Sequence, residues 1–176
     1  CNLIASSIIL FDFNTNCPLV PIVIPPSAAL ILIPPSLSLA IIFIELDLSD
    51  TLTFIPSNNF EVQFLNADIP LKNTISEAAE LISKLYNINV GYKILIDKKI
   101  PIGSGLGGGS SNAAQTLKML NKIYSLKLKD SSLEELGKKI GSDVPFFIRG
   151  GIKKISGTGN IIKNINSVAI QDKIFL

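Results

Sequence analysis

The sequence contains no histidine and no tryptophan in 176 residues, and it has only two cysteines. Without histidine, the chain lacks the commonest proton shuttle near neutral pH and the commonest metal ligand in proteins. The cysteines, Cys1 and Cys17, do not have the spacing of a metal site and are too few for a disulfide framework. The composition therefore excludes a histidine-based metal site and a disulfide-stapled fold, and it predicts a reducing compartment, the cytoplasm.

Lysine, arginine, glycine and tyrosine are all absent from residues 1–71. This part carries six acidic residues, whereas residues 72–176 carry all sixteen basic residues and eight acidic ones, so the net charges are −6 and +8. A basic half suits an anionic ligand. Because the lysines are scattered and no aromatic residues alternate with them, we expect a phosphate-bearing small molecule rather than nucleic acid.

Residues 1–44 are apolar, rich in proline and serine, and contain a single charged side chain. The uncharged run from Cys17 to Ile44 is long enough for a membrane helix, but Pro25-Pro26 and Pro34-Pro35 interrupt it. No positive charge precedes the run, as a signal peptide would require. We therefore predict no membrane segment, and we interpret residues 1–44 as a poorly ordered or mis-started stretch before a domain at residues 45–176.

Regular secondary structure is predicted from residue 45 onward. The predicted strands are Asp50–Pro56, Phe60–Leu65, Val90–Asp97 and the segments GIKKIS and NIIKNI, the first two forming a hairpin. The predicted helices open at capping boxes Thr74–Glu77 and Ser132–Glu135 and, between these, span about Ser111 to Tyr124.

A glycine-rich stretch, IPIGSGLGGGSSNAAQTL, runs from Ile100 to Leu117 with five glycines, three serines and no acidic residue. It follows a predicted strand and leads directly into a predicted helix. In that position, bare backbone N–H groups and the positive end of the helix dipole point at one place and form an anion site. Ser110 and Ser111 add hydroxyls for phosphate oxygens or for a bound Mg²⁺.

Two general phosphate-binding motifs can be compared with this stretch. A Walker A loop needs a lysine after its last glycine, and none is present, so that motif is excluded. The dinucleotide fingerprint G-x-G-x-x-G does match, at Gly103, Gly105 and Gly108, and Asp130 lies 22 residues further on. However, the segment YSLKLKD before Asp130 does not have the pattern of a buried strand. A dinucleotide-binding module therefore stays a weaker alternative.

The segment IPIGSGLGGGSSNAA resembles the P-x-x-x-G-L-G-S-S-A nucleotide loop of the GHMP kinases. Its triple glycine resembles the branch of that family that phosphorylates 4-diphosphocytidyl-2-C-methyl-D-erythritol. Three other segments are similar to that branch: IELDLSDTLTF, GSDVPFFIRGG (Gly141–Gly151) and ISGTGN (Ile155–Asn160). The resemblance covers residues ~45–165. It implies an α+β fold, the N-terminal ATP-binding domain of a GHMP kinase, of the ribosomal protein S5 domain 2 type, without the C-terminal GHMP domain.

The resemblance also implies a set of site residues. Asp143 falls on the family's catalytic aspartate, where a carboxylate would orient the substrate hydroxyl and accept its proton. Mg²⁺ would be held with ATP through Ser110 or Ser111. Weaker site candidates are Lys99, Asn73, Gly157, Thr158 and Gly159. The residues implied to bind ATP are Pro101, Ile102, Gly103, Ser104, Gly105, Leu106, Gly107, Gly108, Gly109, Ser110 and Ser111.

The family reaction implied is transfer of the ATP γ-phosphate to the 2-hydroxyl of 4-diphosphocytidyl-2-C-methyl-D-erythritol, in the non-mevalonate route to isoprenoids. Two family motifs have no counterpart in residues 1–71: an A-K-I-N-L strand, whose lysine pairs with the catalytic aspartate, and a G-Y-H motif, which grips the cytidine. Because phosphoryl transfer depends on positioning, we expect this chain to be impaired or inactive. A nucleotide-binding remnant without catalysis is the main alternative.

Overall fold

A computed structural model of the chain describes residues 22–23, 28–33, 40–46, 48–68, 72–156 and 161–164. Strands and helices are mixed along these segments, which confirms the predicted α+β class. The strands are β1 (Ile22–Val23), β2 (Ala28–Ile33), β3 (Ala40–Glu45), β4 (Thr51–Pro56), β5 (Glu61–Phe64), β6 (Tyr92–Asp97), β7 (Ile152–Ser156) and β8 (Ile161–Asn164). The helices are α1 (Thr74–Tyr86), α2 (Gly108–Ile123), α3 (Asp130–Lys138) and α4 (Val144–Arg149).

The first sheet has the strand order β1-β4-β6-β5. β4 is antiparallel to β6, with Leu52 opposite Ile96 and Phe54 opposite Ile94, and these four side chains are buried. β5 is parallel to β6, so the chain has to cross over between them, and α1 provides that crossover. The end of β6 therefore leads out of a buried central strand, which fixes where the glycine-rich stretch begins.

The predicted hairpin is wrong in its pairing, although both of its strands exist. β4 and β5 each bond to β6, which lies between them. The turn after β4 is held by a residue far along the chain, since the Ser57 backbone N–H donates to the carbonyl of Gly91 at 3.0 Å. A local turn pattern cannot reveal a strand that arrives some thirty residues later and takes the hydrogen-bonding edge.

The second sheet is antiparallel throughout, with the strand order β2-β3-β7-β8. β1, β2 and nearly all of β3 lie within residues 1–44, the stretch that we interpreted as poorly ordered. β1 pairs with β4 and β3 pairs with β7, so hydrogen bonds join that stretch to the later part of the chain. The division into residues 1–44 and 45–176 stays a prediction.

One hydrophobic core joins the first sheet to all four helices. α1 contributes Ile75 and Ile82, α2 contributes Leu117 and Leu120, and each of these side chains is at most 1% exposed. Full burial of one such side chain stabilises the fold by roughly 1.5–3 kcal/mol. In the part of the chain that the structure describes, no helix is both long and apolar enough for a membrane crossing.

Two predicted helix caps lie elsewhere. α1 is capped by Asn73, whose Oδ1 accepts from the backbone N–H groups of Ile75 and Ser76, while Ser76 Oγ accepts from the Asn73 N–H. The capping box is therefore Asn73–Ser76 and not Thr74–Glu77. α3 begins at Asp130, two residues before the predicted box, because an acidic side chain in the first turn already suits the helix dipole.

Candidate functional site

A cavity of about 390 Å³ opens over the glycine-rich stretch. This is within the usual size range for small-molecule sites. Its wall consists of the loop after β6, the first turn of α2, the first turn of α1 and the end of β5. The lining residues are Phe64, Asn73, Thr74, Ile75, Lys98, Pro101, Ile102, Gly103, Ser104, Gly105, Leu106, Gly107, Gly108, Gly109, Ser110 and Asn112.

The loop after β6 alternates glycines in the left-handed region. Gly103, Gly105 and Gly107 have φ of 73°, 75° and 72°, values that other residues adopt only with strain. Between them, Ser104 fastens the turn, since its Oγ donates to the Pro101 carbonyl at 2.8 Å and accepts from the Leu106 N–H at 3.3 Å. The Ser104 hydroxyl, one of the predicted ATP contacts, is thus used within the loop.

α2 begins at Gly108, three residues before the predicted start, so the triple glycine is mostly helical. Its N-cap is Gly107, which supplies no side-chain hydrogen bond. The first bond of the helix runs from the Ser111 N–H to the Gly107 carbonyl at 2.9 Å. The N–H groups of Gly108, Gly109 and Ser110 therefore have no partner within the helix, and all three residues line the cavity. This is a main-chain anion site.

The first turn of α1 faces the same cavity but is closed by its own cap. Asn73 satisfies two of its N–H groups, as described above. Thr74 Oγ1 donates to the Gly109 carbonyl at 2.8 Å, which ties the start of α1 to the first turn of α2. Because α1 is capped and α2 is not, a ligand anion has its main-chain partners at α2.

A fully buried carboxylate, Asp50, fixes the junction between β6 and the loop. Its Oδ1 accepts from the backbone N–H groups of Lys99 at 2.8 Å and Ile100 at 2.9 Å. Its Oδ2 accepts from Lys98 Nζ at 2.6 Å and from Asn112 Nδ2 at 2.8 Å. Four charge-assisted hydrogen bonds thus join the start of β4, the end of β6 and the first turns of α2.

Lys98 places a positive charge in the cavity wall. Its side chain is 8% exposed, and a Cβ built on Gly108 would lie 3.0 Å from its Nζ. The ammonium is therefore beside the uncapped start of α2, where an anion would bind. The neighbouring Lys99, which the sequence analysis named, is an exposed side chain; within the described chain the cavity takes Lys98 and not Lys99.

Asp143 lies in the turn between α3 and α4. It is the N-cap residue of α4, it is half-buried, and its Oδ1 accepts from Ser142 Oγ at 3.1 Å. The turn adjoins the glycine loop, because a Cβ on Gly141 would lie 3.9 Å from Ser110 Oγ. α4 also packs beneath the loop, since a Cβ on Gly107 would lie 2.8 Å from Phe147 Cζ.

The structure brings together most of the predicted site residues. Pro101 to Ser110 all line the cavity, and so does Asn73. Of the candidates that the structure describes, Lys99, Ser111 and Asp143 do not line it, and Ser111 is 1% exposed inside α2. Gly157, Thr158 and Gly159 lie outside the described residues.

Three lining or supporting residues were missed by sequence reasoning: Asp50, Lys98 and Phe64. Lys98 and Lys99 stand side by side at the end of a strand, and only the pleat decides which side chain turns inward. Asp50 carries no local signal, because its partners come from residues 98–112. In the described part of the chain, no three acidic or cysteine side chains cluster as a metal site.

Comparisons with known proteins agree with this geometry. Residues 73–151 match the model of the GHMP kinases N terminal domain. A 4-diphosphocytidyl-2-C-methyl-D-erythritol kinase of Prochlorococcus marinus (strain MIT 9301) is 44% identical over 133 residues, which are 73% of this chain and 43% of that protein. One from Buchnera aphidicola subsp. Schizaphis graminum is 43% identical over 135 residues, covering 71% of this chain and 46% of that protein.

A solved structure gives the same result for the fold. The crystal structure of a 4-(cytidine 5'-diphospho)-2C-methyl-D-erythritol kinase superposes with a TM-score of 0.66 at 29% identity, covering 83% of this chain and 55% of that one. The chain spans about half the length of the curated relatives that it matches. On the sequence match, the shared fold and the glycine loop, this chain belongs to the GHMP kinase family, whose N-terminal domain it carries.

Proposed function

We propose that the chain binds ATP with Mg²⁺ in the cavity over the glycine loop. The observation that carries this proposal is the uncapped start of α2, where three main-chain N–H groups and the Lys98 ammonium border one cavity. A triphosphate is a multiply charged anion with many acceptor oxygens, which such an arrangement suits. The apolar side chains of Phe64, Ile102 and Leu106 on the same wall would contact the base.

Individual residues of the loop would have different roles. The glycines at positions 107, 108 and 109 allow phosphate oxygens to approach the main chain, because no Cβ stands in the way. Ser110 is the hydroxyl in place for a phosphate oxygen or for Mg²⁺, since it lines the cavity while Ser111 is buried. When bound, the metal ion would neutralise charge on the phosphates.

We further propose that the family reaction acts on 4-diphosphocytidyl-2-C-methyl-D-erythritol, the compound named in the relatives' titles. In this step the 2-hydroxyl oxygen forms a bond to the γ-phosphorus and the bond from that phosphorus to the β–γ bridging oxygen breaks. ADP leaves, and the hydroxyl proton passes to the carboxylate of Asp143. Support for Asp143 comes from its place in a rigid turn against Ser110. Residues 1–71 offer no lysine to pair with it, so we expect transfer by this chain alone to be slow.

The dinucleotide alternative has less support. A dinucleotide fold needs a parallel sheet, but β4 and β6 are antiparallel. Its ribose-binding acid should end a second strand, whereas Asp130 is the exposed first residue of α3.

Two measurements test the proposal in order. Calorimetric titrations of the chain with ATP–Mg²⁺ and, separately, with NADH should give saturable binding of ATP only. A coupled assay for ADP release, with and without the cytidine substrate, should then show substrate-dependent turnover. Binding of NADH in place of ATP overturns the nucleotide assignment. Binding of ATP with no turnover at any substrate concentration identifies a nucleotide-binding remnant.

A further inference from the structure

Asp50 is a fully buried carboxylate that the proposed phosphoryl chemistry does not use. Its two oxygens serve different partners. Oδ1 accepts only from main-chain N–H groups, those of Lys99 and Ile100, and so fixes the entry to the glycine loop. Oδ2 accepts from two side chains, Lys98 and Asn112, both of which line the cavity.

We propose that Asp50 is a positioning residue for nucleotide binding, because it holds the Lys98 ammonium beside the start of α2. The proposal rests on the proposed function, since it takes the bound anion to be ATP. A lysine side chain has four rotatable bonds, and its charge is drawn toward water. Paired at 2.6 Å with Asp50, the ammonium is kept at the wall with two of its three N–H donors left for a ligand.

A purely structural role for Asp50 is the competing explanation, and Asn66 provides the matched comparison. Asn66 Nδ2 donates to the Lys98 carbonyl at 2.8 Å and to Asp97 Oδ1 at 2.9 Å, and its Oδ1 accepts from the Lys98 N–H at 2.9 Å. It therefore fastens the same strand end from the other side, but it does not bond to the ammonium. Loss of Asn66 tests fastening alone.

The substitution Asp50→Asn separates the two functions of the carboxylate. The new Oδ1 keeps both main-chain bonds, while the new Nδ2 replaces the oxygen that faced Lys98 and Asn112. Asn112 Oδ1 has no hydrogen-bond partner in the described structure. Rotation of that amide by half a turn would let it accept from the new Nδ2. Only the Lys98 ammonium then loses its partner.

The test is a titration with ATP–Mg²⁺ of the native chain, Asp50→Asn, Lys98→Met, the double variant and Asn66→Ala. We expect the first two variants each to raise the ATP Kd by about tenfold. The double variant should bind within twofold of Lys98→Met, because Asp50 acts through the lysine. Asn66→Ala should lower the unfolding temperature and change the Kd by less than twofold.

Several outcomes overturn the proposal. Tighter binding by Asp50→Asn is what simple removal of a negative charge would give, and a Kd within twofold of native would show that the pair does not matter. Multiplicative effects in the double variant would show that Asp50 acts independently of Lys98. If Asp50→Asn does not fold, Lys98→Met decides, since Asp50 then keeps three partners: native-like ATP binding overturns the proposal and tenfold weaker binding supports it. Absence of ATP binding by the native chain is a failure of the proposed function instead.

Discussion

The glycine loop before α2 and the Asp143 turn before α4 both end at a helix start, yet they are built in opposite ways. The helix start at Gly108 has a glycine cap, no side-chain hydrogen bond and three main-chain N–H groups facing a cavity. The helix start at Val144 is closed: the Val144 N–H bonds to the Gly141 carbonyl, Pro145 has no N–H, and the Phe146 N–H bonds to the Asp143 carbonyl.

This difference shows how two neighbouring helix starts serve different chemistry. An open start binds an anion through the main chain, and it needs glycine because side chains would occupy the space of the ligand. A closed start on a buried helix leaves nothing for an anion, but it holds its cap side chain rigidly. Asp143 is therefore placed to present a carboxylate, while residues 107–110 are placed to bind phosphate. Each prediction below tests one side of this contrast.

The largest effect is expected for Asp143→Asn. The amide keeps the size of the side chain but cannot accept the hydroxyl proton, so the rate of substrate-dependent ADP release should fall by about 10²–10⁴-fold. ATP binding should stay within twofold of native, because the open helix start is untouched. Asp130→Asn is the control, since that carboxylate is exposed at the start of α3. Equal loss of turnover and of ATP affinity would show that the two turns form one binding surface and not two separate devices.

Gly107→Ala should be the most destabilising change in the loop itself. The residue has φ of 72°, and a Cβ there would lie 2.8 Å from Phe147 Cζ. Left-handed strain and overpacking against α4 together should lower the free energy of unfolding by about 2–4 kcal/mol. Gly105→Ala is the matched control, because it has the same conformation at φ of 75° with nothing within 4 Å. It should lose only the strain, about 1–2 kcal/mol. Denaturant unfolding of both variants measures the difference, and equal losses would contradict the close packing of α4 under the loop.

Gly137→Ala should sharpen the contrast from the closed side. A Cβ on Gly137, in α3, would lie 2.8 Å from Val144 Cγ1. Alanine favours the helix by up to about 1 kcal/mol, but overpacking costs about 1–3 kcal/mol, so we expect a net loss of about 1–2 kcal/mol.

The added change Val144→Ala should restore part of that loss by removing the obstructing methyl groups. Gly141→Ala is the control, since its nearest neighbour would be at 3.5 Å, and it should be nearly neutral in the same denaturant series. A larger loss at Gly141 than at Gly137 would show that the turn, and not the helix contact, determines the packing.

The sequence predicted the open side of the molecule better than the closed side. Glycine spacing and the following helical pattern are local signals, and they placed ten consecutive residues, Pro101 to Ser110, on the cavity wall. The order of α1, β6, α2 and α3 was likewise predicted from periodicity. Pairing was not: β6 separates β4 from β5, and no short stretch of sequence carries information about a strand that inserts later.

The residues that support the site could not be found locally either. Asp50 is 48 residues before Lys98 and 62 before Asn112, yet it bonds to both. An isolated acidic residue before a strand has the pattern of an exposed strand end, and only the folded sheet buries it. Asp143 is the intermediate case, because family resemblance identified it while its own surroundings, a Ser142 hydroxyl and a half-buried turn, are those of many helix caps.

The smallest effect is expected at Asn73, which belongs to the cavity wall and to the cap of α1 at the same time. Asn73→Ala removes the acceptor for the Ile75 and Ser76 N–H groups, and it should lower the free energy of unfolding by about 1 kcal/mol. Asn73→Asp should keep the cap, since aspartate is an equally good N-cap residue, but it adds a negative charge beside the site. If a triphosphate binds at the uncapped start of α2, that charge should weaken ATP–Mg²⁺ binding by about two- to fivefold, and less at high salt. Native affinity in Asn73→Asp at low ionic strength would mean that the anion is held away from this wall, and the contrast between a capped α1 and an open α2 would lose its functional meaning.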